Sequence, residues 1–161
     1  MVCVPGGPGH LQAMEDEPLL AFLRRQAPGC RYVTAVCTGA LVLAAAGLLT
    51  GYRATTHWMS RERLAAFGVK PVAERVVIDR NRITGGGVTA GIDFALTVAA
   101  EIGGSEMARA IQLGVEYAPA PPFEGGTPES SEPALVAAVR AQGKAYAMRM
   151  AEVDARVVGR V

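Results

Sequence analysis

Tyr32-Val33-Thr34-Ala35-Val36-Cys37-Thr38-Gly39-Ala40-Leu41 reads as a buried strand that stops on a cysteine and turns at once into a helix. Val33, Thr34 and Val36 are β-branched, which suits a strand inside a sheet. From Gly39 onward Ala, Leu and Gly take over, and residues 40–49 favour a helix. Cys37 sits at the switch, with Ala35 two residues before it and Gly39 two after. The two arms of a tight strand-to-helix turn lie close together and need small neighbours, which is the logic of a nucleophile elbow. A cysteine at such a turn leaves the carboxyl edge of the sheet and faces the first free N–H groups of a helix, which favour the thiolate. The competing reading makes Cys37 a small buried apolar residue, the usual fate of a free cysteine.

Composition sets the frame. The 161 residues suffice for one domain, 1–161, and with half of them apolar the chain can bury a core. A net charge of +1, from 16 basic and 15 acidic residues without a basic stripe, points away from nucleic acid. The absence of a bilayer-length apolar run points away from a membrane. The first residues lack a signal-peptide layout. Cys3, Cys30 and Cys37 are odd in number and not in metal-ligand spacing, so a reducing cytoplasm is expected rather than a disulfide framework. His10 and His57 are the only histidines and form no two-histidine motif, so no metal is expected.

Working outward from the elbow, residues 1–4 form a short apolar run that ends on Pro5-Gly6-Gly7-Pro8-Gly9. A strand followed by a glycine-rich loop can aim backbone N–H groups at a ligand, although the same residues also make plain turns. Asp16 caps a helix that Pro18 helps to start and Pro28-Gly29 ends, with Cys30 in the connection. Residues 53–58 read as a brief strand ending near His57, followed by a helix over 60–67. Were that strand parallel to the one ending at Cys37, both side chains would leave the same sheet edge, making His57 a partner for the thiol. Its plainer role is a satisfied histidine beside Trp58. Residues 72–79 and 83–84 form a hairpin, and Gly85-Gly86-Gly87 brings backbone close to a neighbour or a ligand. Thr89 is placed to cap a nearly all-apolar helix over 90–102, which must lie between layers or at a subunit interface. Asp93 complements that helix's dipole. A helix over 105–117 and a Pro/Gly-rich connector over 118–128 follow. The chain closes on one amphipathic helix from 132 to about 159, with Leu135, Val136, Val139, Tyr146, Met150 and Val153 on its apolar stripe. Strands alternating with helices imply an α/β sheet with mainly parallel strands, whose sites gather at the strands' carboxyl ends.

Several pieces resemble the ThiJ/PfpI superfamily of class I glutamine amidotransferase-like proteins, and within it the isocyanide hydratases. They are Val4-Pro5-Gly6-Gly7-Pro8-Gly9, Val36-Cys37-Thr38-Gly39-Ala40, Tyr52-Arg53-Ala54-Thr55-Thr56-His57-Trp58, Ile83-Thr84-Gly85-Gly86-Gly87-Val88-Thr89-Ala90-Gly91-Ile92-Asp93 and Tyr117-Ala118-Pro119-Ala120-Pro121-Pro122-Phe123. The resemblance implies a three-layer flavodoxin-like sandwich, a homodimer, no cofactor, and hydration of a small-molecule isocyanide to an N-substituted formamide. It implies Cys37 as nucleophile with Thr38 beside it. Gly7, Thr38 and Gly86 would line the oxyanion or substrate pocket, with His57 as an auxiliary group. The family has a further strand, helix and strand ahead of the segment that Met1 begins, with an acidic residue after its first strand that contacts the cysteine as general acid. No residue here matches it, and Asp16, Glu17 and Asp93 do not substitute by position, so an impaired site is expected. Two alternatives remain within the superfamily: a non-catalytic stress or ligand-binding protein, and a glyoxalase- or amidase-type enzyme.

Overall fold

The β-branched run does form a strand, β2 (Val33–Val36), and it lies inside a four-stranded sheet of the computed structural model, which describes residues 1–160. On one side β2 pairs in parallel with β1 (Val2–Val4), Cys3 opposite Thr34. On the other it pairs in parallel with the strand Arg82–Gly85, Ile83 again opposite Thr34. A two-stranded parallel ribbon comes before the hairpin: β3 (Arg53–Ala54) with β4 (Lys70–Pro71). The hairpin is then β5 (Val76–Asp79) running antiparallel to β6 (Arg82–Gly85), so the sheet order is β1-β2-β6-β5.

The two-residue period of β2 divides the core into two. Val33 and Ala35 point to one cluster, Tyr32 and Val36 to the other. The first face is covered by α1 (His10–Glu15), α2 (Glu17–Gln26) and α3 (Gly39–Ala45), all seven residues of α3 being buried. The opposite face is covered by α4 (Ala90–Gly103) through Phe94 and Val98, with α5 (Ser105–Gly114) packed against α4. The C-terminal part forms α6 (Pro133–Gln142) and α7 (Lys144–Val157), and Met150, Val153 and Val157 of α7 complete the first cluster. Each large aliphatic side chain so buried contributes about 1.5–3 kcal/mol. Arg63 ties α7 down further: it forms an ion pair with Asp154, its Nη2 also donates to the Met150 carbonyl at 3.0 Å, and both charged side chains are about 15% exposed.

Several local expectations are corrected. The final helix is two, because Gly143 ends α6 and closes its last turn onto Val139 and Arg140. Leu135, Val139 and Tyr146 are consequently exposed, and only the lower half of the stripe is core. Residues 60–67 belong to a 3₁₀ helix, Trp58–Phe67, with a left-handed glycine at its end, Gly68. The helix after the elbow stops at Ala45 rather than near 49. The brief strand before His57 is not in the main sheet; β3 is attached beside it through Thr55 N–H to Thr84 Oγ1 (2.9 Å) and Arg53 N–H to Asp79 (2.8 Å). Asp93 does sit in the first turn of α4, but its carboxylate takes two partners, Arg75 at 2.6 Å and the Tyr117 hydroxyl at 2.9 Å. Thr89 is the N-cap of α4 without a capping side-chain bond; its hydroxyl meets Arg75 instead. A helix over residues 10–15, not anticipated, follows the glycine loop directly.

Candidate active site

Cys37 has φ = 55°, a left-handed conformation that costs a non-glycine residue roughly 1–3 kcal/mol and collects at functional turns. The strain is held from every side. Cys37 N–H extends the β2–β6 ladder to Gly85 O at 3.0 Å, and its carbonyl accepts from Thr56 Oγ1 at 2.6 Å. The arms of the turn also close on β1 and its loop. A Cβ on Gly39 would lie 2.8 Å from Pro5 O, with Val4 O nearer still, and one on Gly6 would lie 2.6 Å from Cys37 Cβ. Only glycine allows these approaches, so the spacing read at the elbow has a steric cause.

The glycine loop and the elbow are bonded to each other. Thr38 Oγ1 accepts from Gly7 N–H at 3.0 Å and donates to Gly7 O at 3.2 Å. This explains why Thr38, the N-cap of α3, makes no capping bond of its own. The Gly7 N–H, expected as an open donor, is therefore occupied. Gly86 is occupied too: its N–H donates to Arg75 O at 2.9 Å, and it lines a separate cavity of about 290 Å³ that includes Thr55, His57, Arg75 and Glu129.

Cys37 is half-buried and opens on a groove of about 450 Å³ formed with Gly7, Pro8, Thr38, His57 and Tyr146. The groove surface is almost entirely carbon. His57 does reach the thiol's groove, but by following β3 rather than as a neighbour in the sheet. Its Nδ1 accepts from Met59 N–H at 3.4 Å, its ring lies 6.0 Å from that of Trp58, and burial lowers its pKa below 6.5. It is a neutral, locally bonded histidine.

Two residues of this region were not anticipated. His10 is buried; its Nδ1 donates to Gly7 O at 2.9 Å, so the same carbonyl takes bonds from His10 N–H, His10 Nδ1–H and Thr38 Oγ1. Burial, and then the charge of Arg63, push the imidazole pKa below 6.5, partly offset by the bond to Gly7. Tyr146, from α7, brings its hydroxyl to 3.4 Å from both Pro8 O and His10 Nδ1. The sequence held a faint signal for it, since a tyrosine on an apolar stripe needs a partner for its hydroxyl. Among the described residues no group of three or more His, Cys, Asp or Glu side chains could hold a metal, and no helix is long and apolar enough to cross a membrane.

The model of the DJ-1/PfpI family matches residues 1–101, which carry β1, the glycine loop, the elbow and most of α4. The chain belongs to the DJ-1/PfpI family. It is 57% identical over 136 residues to the isonitrile hydratase of Pseudomonas putida, covering 84% of this chain and 60% of that protein. It is 39% identical over 112 residues to the HTH-type transcriptional regulator GbdR of Pseudomonas aeruginosa, covering 68% of this chain and 30% of the regulator. A ThiJ/PfpI family protein from Pseudomonas syringae has 40% sequence identity and superimposes with a TM-score of 0.88 over 96% of this chain and 65% of its own. The mixed α/β fold with a mainly parallel sheet and flanking helices is thus that of the DJ-1/PfpI family. The chain spans about 60% of the hydratase it matches.

Proposed function

We propose that this protein hydrates an isocyanide to an N-substituted formamide, with Cys37 as the nucleophile. The observation that carries the reading is the 57% identity to an isonitrile hydratase over a segment that includes a strained cysteine elbow opening on a carbon-lined groove. An isocyanide is small and neutral, and its terminal carbon accepts a nucleophile, so an apolar groove with one sulfur at its base suits it. The Cys37 thiolate gives an electron pair to that carbon, which takes up a proton, and a thioimidate forms. Water adds to the thioimidate carbon and the nitrogen is protonated. The C–S bond then breaks, the pair returns to sulfur, the hydroxyl gives up its proton to solvent in balance with the one that carbon took from it, and the formamide leaves. One water is consumed and the thiolate is regenerated. The Thr38 hydroxyl, by turning from Gly7, would free the Gly7 N–H for the oxygen that develops negative charge; donors so placed are worth about 3–4 kcal/mol. His57 is a wall of the groove in this reading.

The test is formamide release from an alkyl isocyanide, followed by chromatography. Activity is expected, and Cys37→Ala should reduce it to the uncatalysed rate. Full activity in that variant would discard the mechanism. A second reading, ligand binding without turnover, is favoured by the two occupied N–H groups, Gly7 and Gly86; tight isocyanide binding by calorimetry with no formamide would select it.

The reading also includes a homodimer in the cytoplasm. Met107, Ile111 and Val115 recur every four residues along α5 and beyond its end, all exposed. The three cysteines are unpaired, which fits a reducing compartment. Sedimentation should give twice the chain mass, and Ile111→Glu should shift it to the monomer.

A further inference from the structure

We propose that Tyr146 is the specificity-determining wall of the Cys37 groove, so that helix α7 decides which N-substituents reach the thiol. This rests on the hydration reading for the identity of the substrate, but not for the geometry.

Gly7, Pro8 and Thr38 line the groove with Cys37, and two aromatic side chains complete it, His57 and Tyr146. His57 is held locally by Met59 N–H and packs near Trp58. Tyr146 comes from a distant part of the chain and is 40% exposed, so one side of its ring is open to solvent while the other lines the groove. Its position is set by contacts on the same loop that positions the nucleophile. The hydroxyl reaches Pro8 O and His10 Nδ1, each at 3.4 Å, and its ring meets the His10 ring edge-on with centroids 6.1 Å apart. His10 in turn is buried and fixed to Gly7 O at 2.9 Å.

Helix α7 is itself anchored away from the groove. Met150, Val153 and Val157 are buried, Arg63 pairs with Asp154, and Arg156 pairs with Glu15 at 2.6 Å. Tyr146 thus stands one turn before the first buried residue of a docked helix, and cannot swing away without breaking contacts at the loop. Burial raises its pKa above 10.0, opposed by Arg63 and Arg149 and reinforced by charge on Cys37, so the phenol stays neutral beside the thiol. A neutral ring set by a docked helix excludes by shape. A ring so placed beside the sulfur favours slender, unbranched N-substituents over branched ones.

Two measurements on the full chain test this. The first is the ratio of kcat/KM for n-butyl isocyanide to that for tert-butyl isocyanide. The second is the ratio of Cys37 alkylation rates with iodoacetamide and with N-cyclohexylmaleimide, in a background where Cys3→Ser and Cys30→Ser remove competing thiols. Tyr146→Ala should lower both ratios by at least about tenfold, the scale of discrimination by hydrophobic pockets. Tyr146→Phe keeps the ring and its edge-on contact with His10 but loses the hydroxyl contacts, so both ratios should fall less than in Tyr146→Ala. Far-UV circular dichroism confirms that each variant is folded. Formamide production with both ratios unmoved in Tyr146→Ala overturns the proposal while the hydration reading stands. A labelling ratio that falls in a chain producing no formamide supports the wall and removes the hydration reading instead.

Discussion

Gly39→Ala should destabilise the protein, although a helix scale alone gives the opposite sign. Gly39 is the first residue of α3, and alanine in a helix is worth up to about 1 kcal/mol over glycine. The structure opposes this with a contact. A Cβ at Gly39 would fall 2.8 Å from Pro5 O and from Val4 C, with Val4 O closer still, where ordinary contact begins at 3.4 Å. The obstructing atoms are backbone of β1 and its loop, so no rotamer relieves them. Val4 O is the nearest atom, so the strand would have to move by more than ~1 Å, and overpacking of this kind costs about 1–3 kcal/mol. The net expectation is a loss of about 1–2 kcal/mol, which for a chain this long lowers Tm by ~5 °C. Gly91→Ala is the internal control. It lies in the first turn of α4, and its Cβ would meet only Val36 Cγ1 at 3.9 Å. There the helix preference acts unopposed and the variant should gain about 0.4–1 kcal/mol. Urea unfolding followed by circular dichroism measures both. A Gly39→Ala protein as stable as wild type would refute the claim that α3 and β1 touch through this glycine.

Three further outcomes follow from the geometry. Cys37→Gly should be more stable than Cys37→Ala by about 1 kcal/mol, because glycine adopts φ = 55° freely; equal stabilities by urea titration would mean the elbow stores no strain. Asp154→Asn should cost about 2–3 kcal/mol, since it leaves the mostly buried Arg63 charge uncompensated, and a loss below about 0.5 kcal/mol would show that α7 docks without the pair. His10 is lowered below 6.5 mainly by burial, so the unfolded chain binds the proton more readily than the folded one. Its contribution is complete above 6.5 and is lost as pH falls through the folded pKa. Stability should therefore decline from pH 7.5 to 5.5, less steeply in His10→Asn; parallel curves for the two proteins would assign the decline to other groups.

The elbow was legible because its cause is local. β-branched residues up to Val36, a cysteine, and glycine two residues on can be read from six or seven letters, and the φ of 55° at Cys37 is what such a turn requires. The hairpin of β5 and β6 was legible for the same reason, through its β-branched residues and polar tip. Other features misled because the deciding contact was remote. The stripe along residues 135–153 was periodic, yet Gly143 divides it, and only the half that meets α1 and Arg63 is buried.

The same division runs through the site. Cys37, Thr38 and the glycine loop are short-range facts of the chain, and so is the family they mark. Their connections are not. The Thr38 hydroxyl occupies the Gly7 N–H from 31 residues away, and Thr56 holds the Cys37 carbonyl from 19. Tyr146 reaches His10 across 136 residues. Periodicity and spacing report on one or two turns of chain, whereas a hydrogen bond between loops depends on how several packed layers bring those loops together. Residue order alone was enough to place a cysteine in a tight turn at the end of β2. Which donors are already taken, and which side chains line the groove with the cysteine, depended on the packing of α7 and β3 around it.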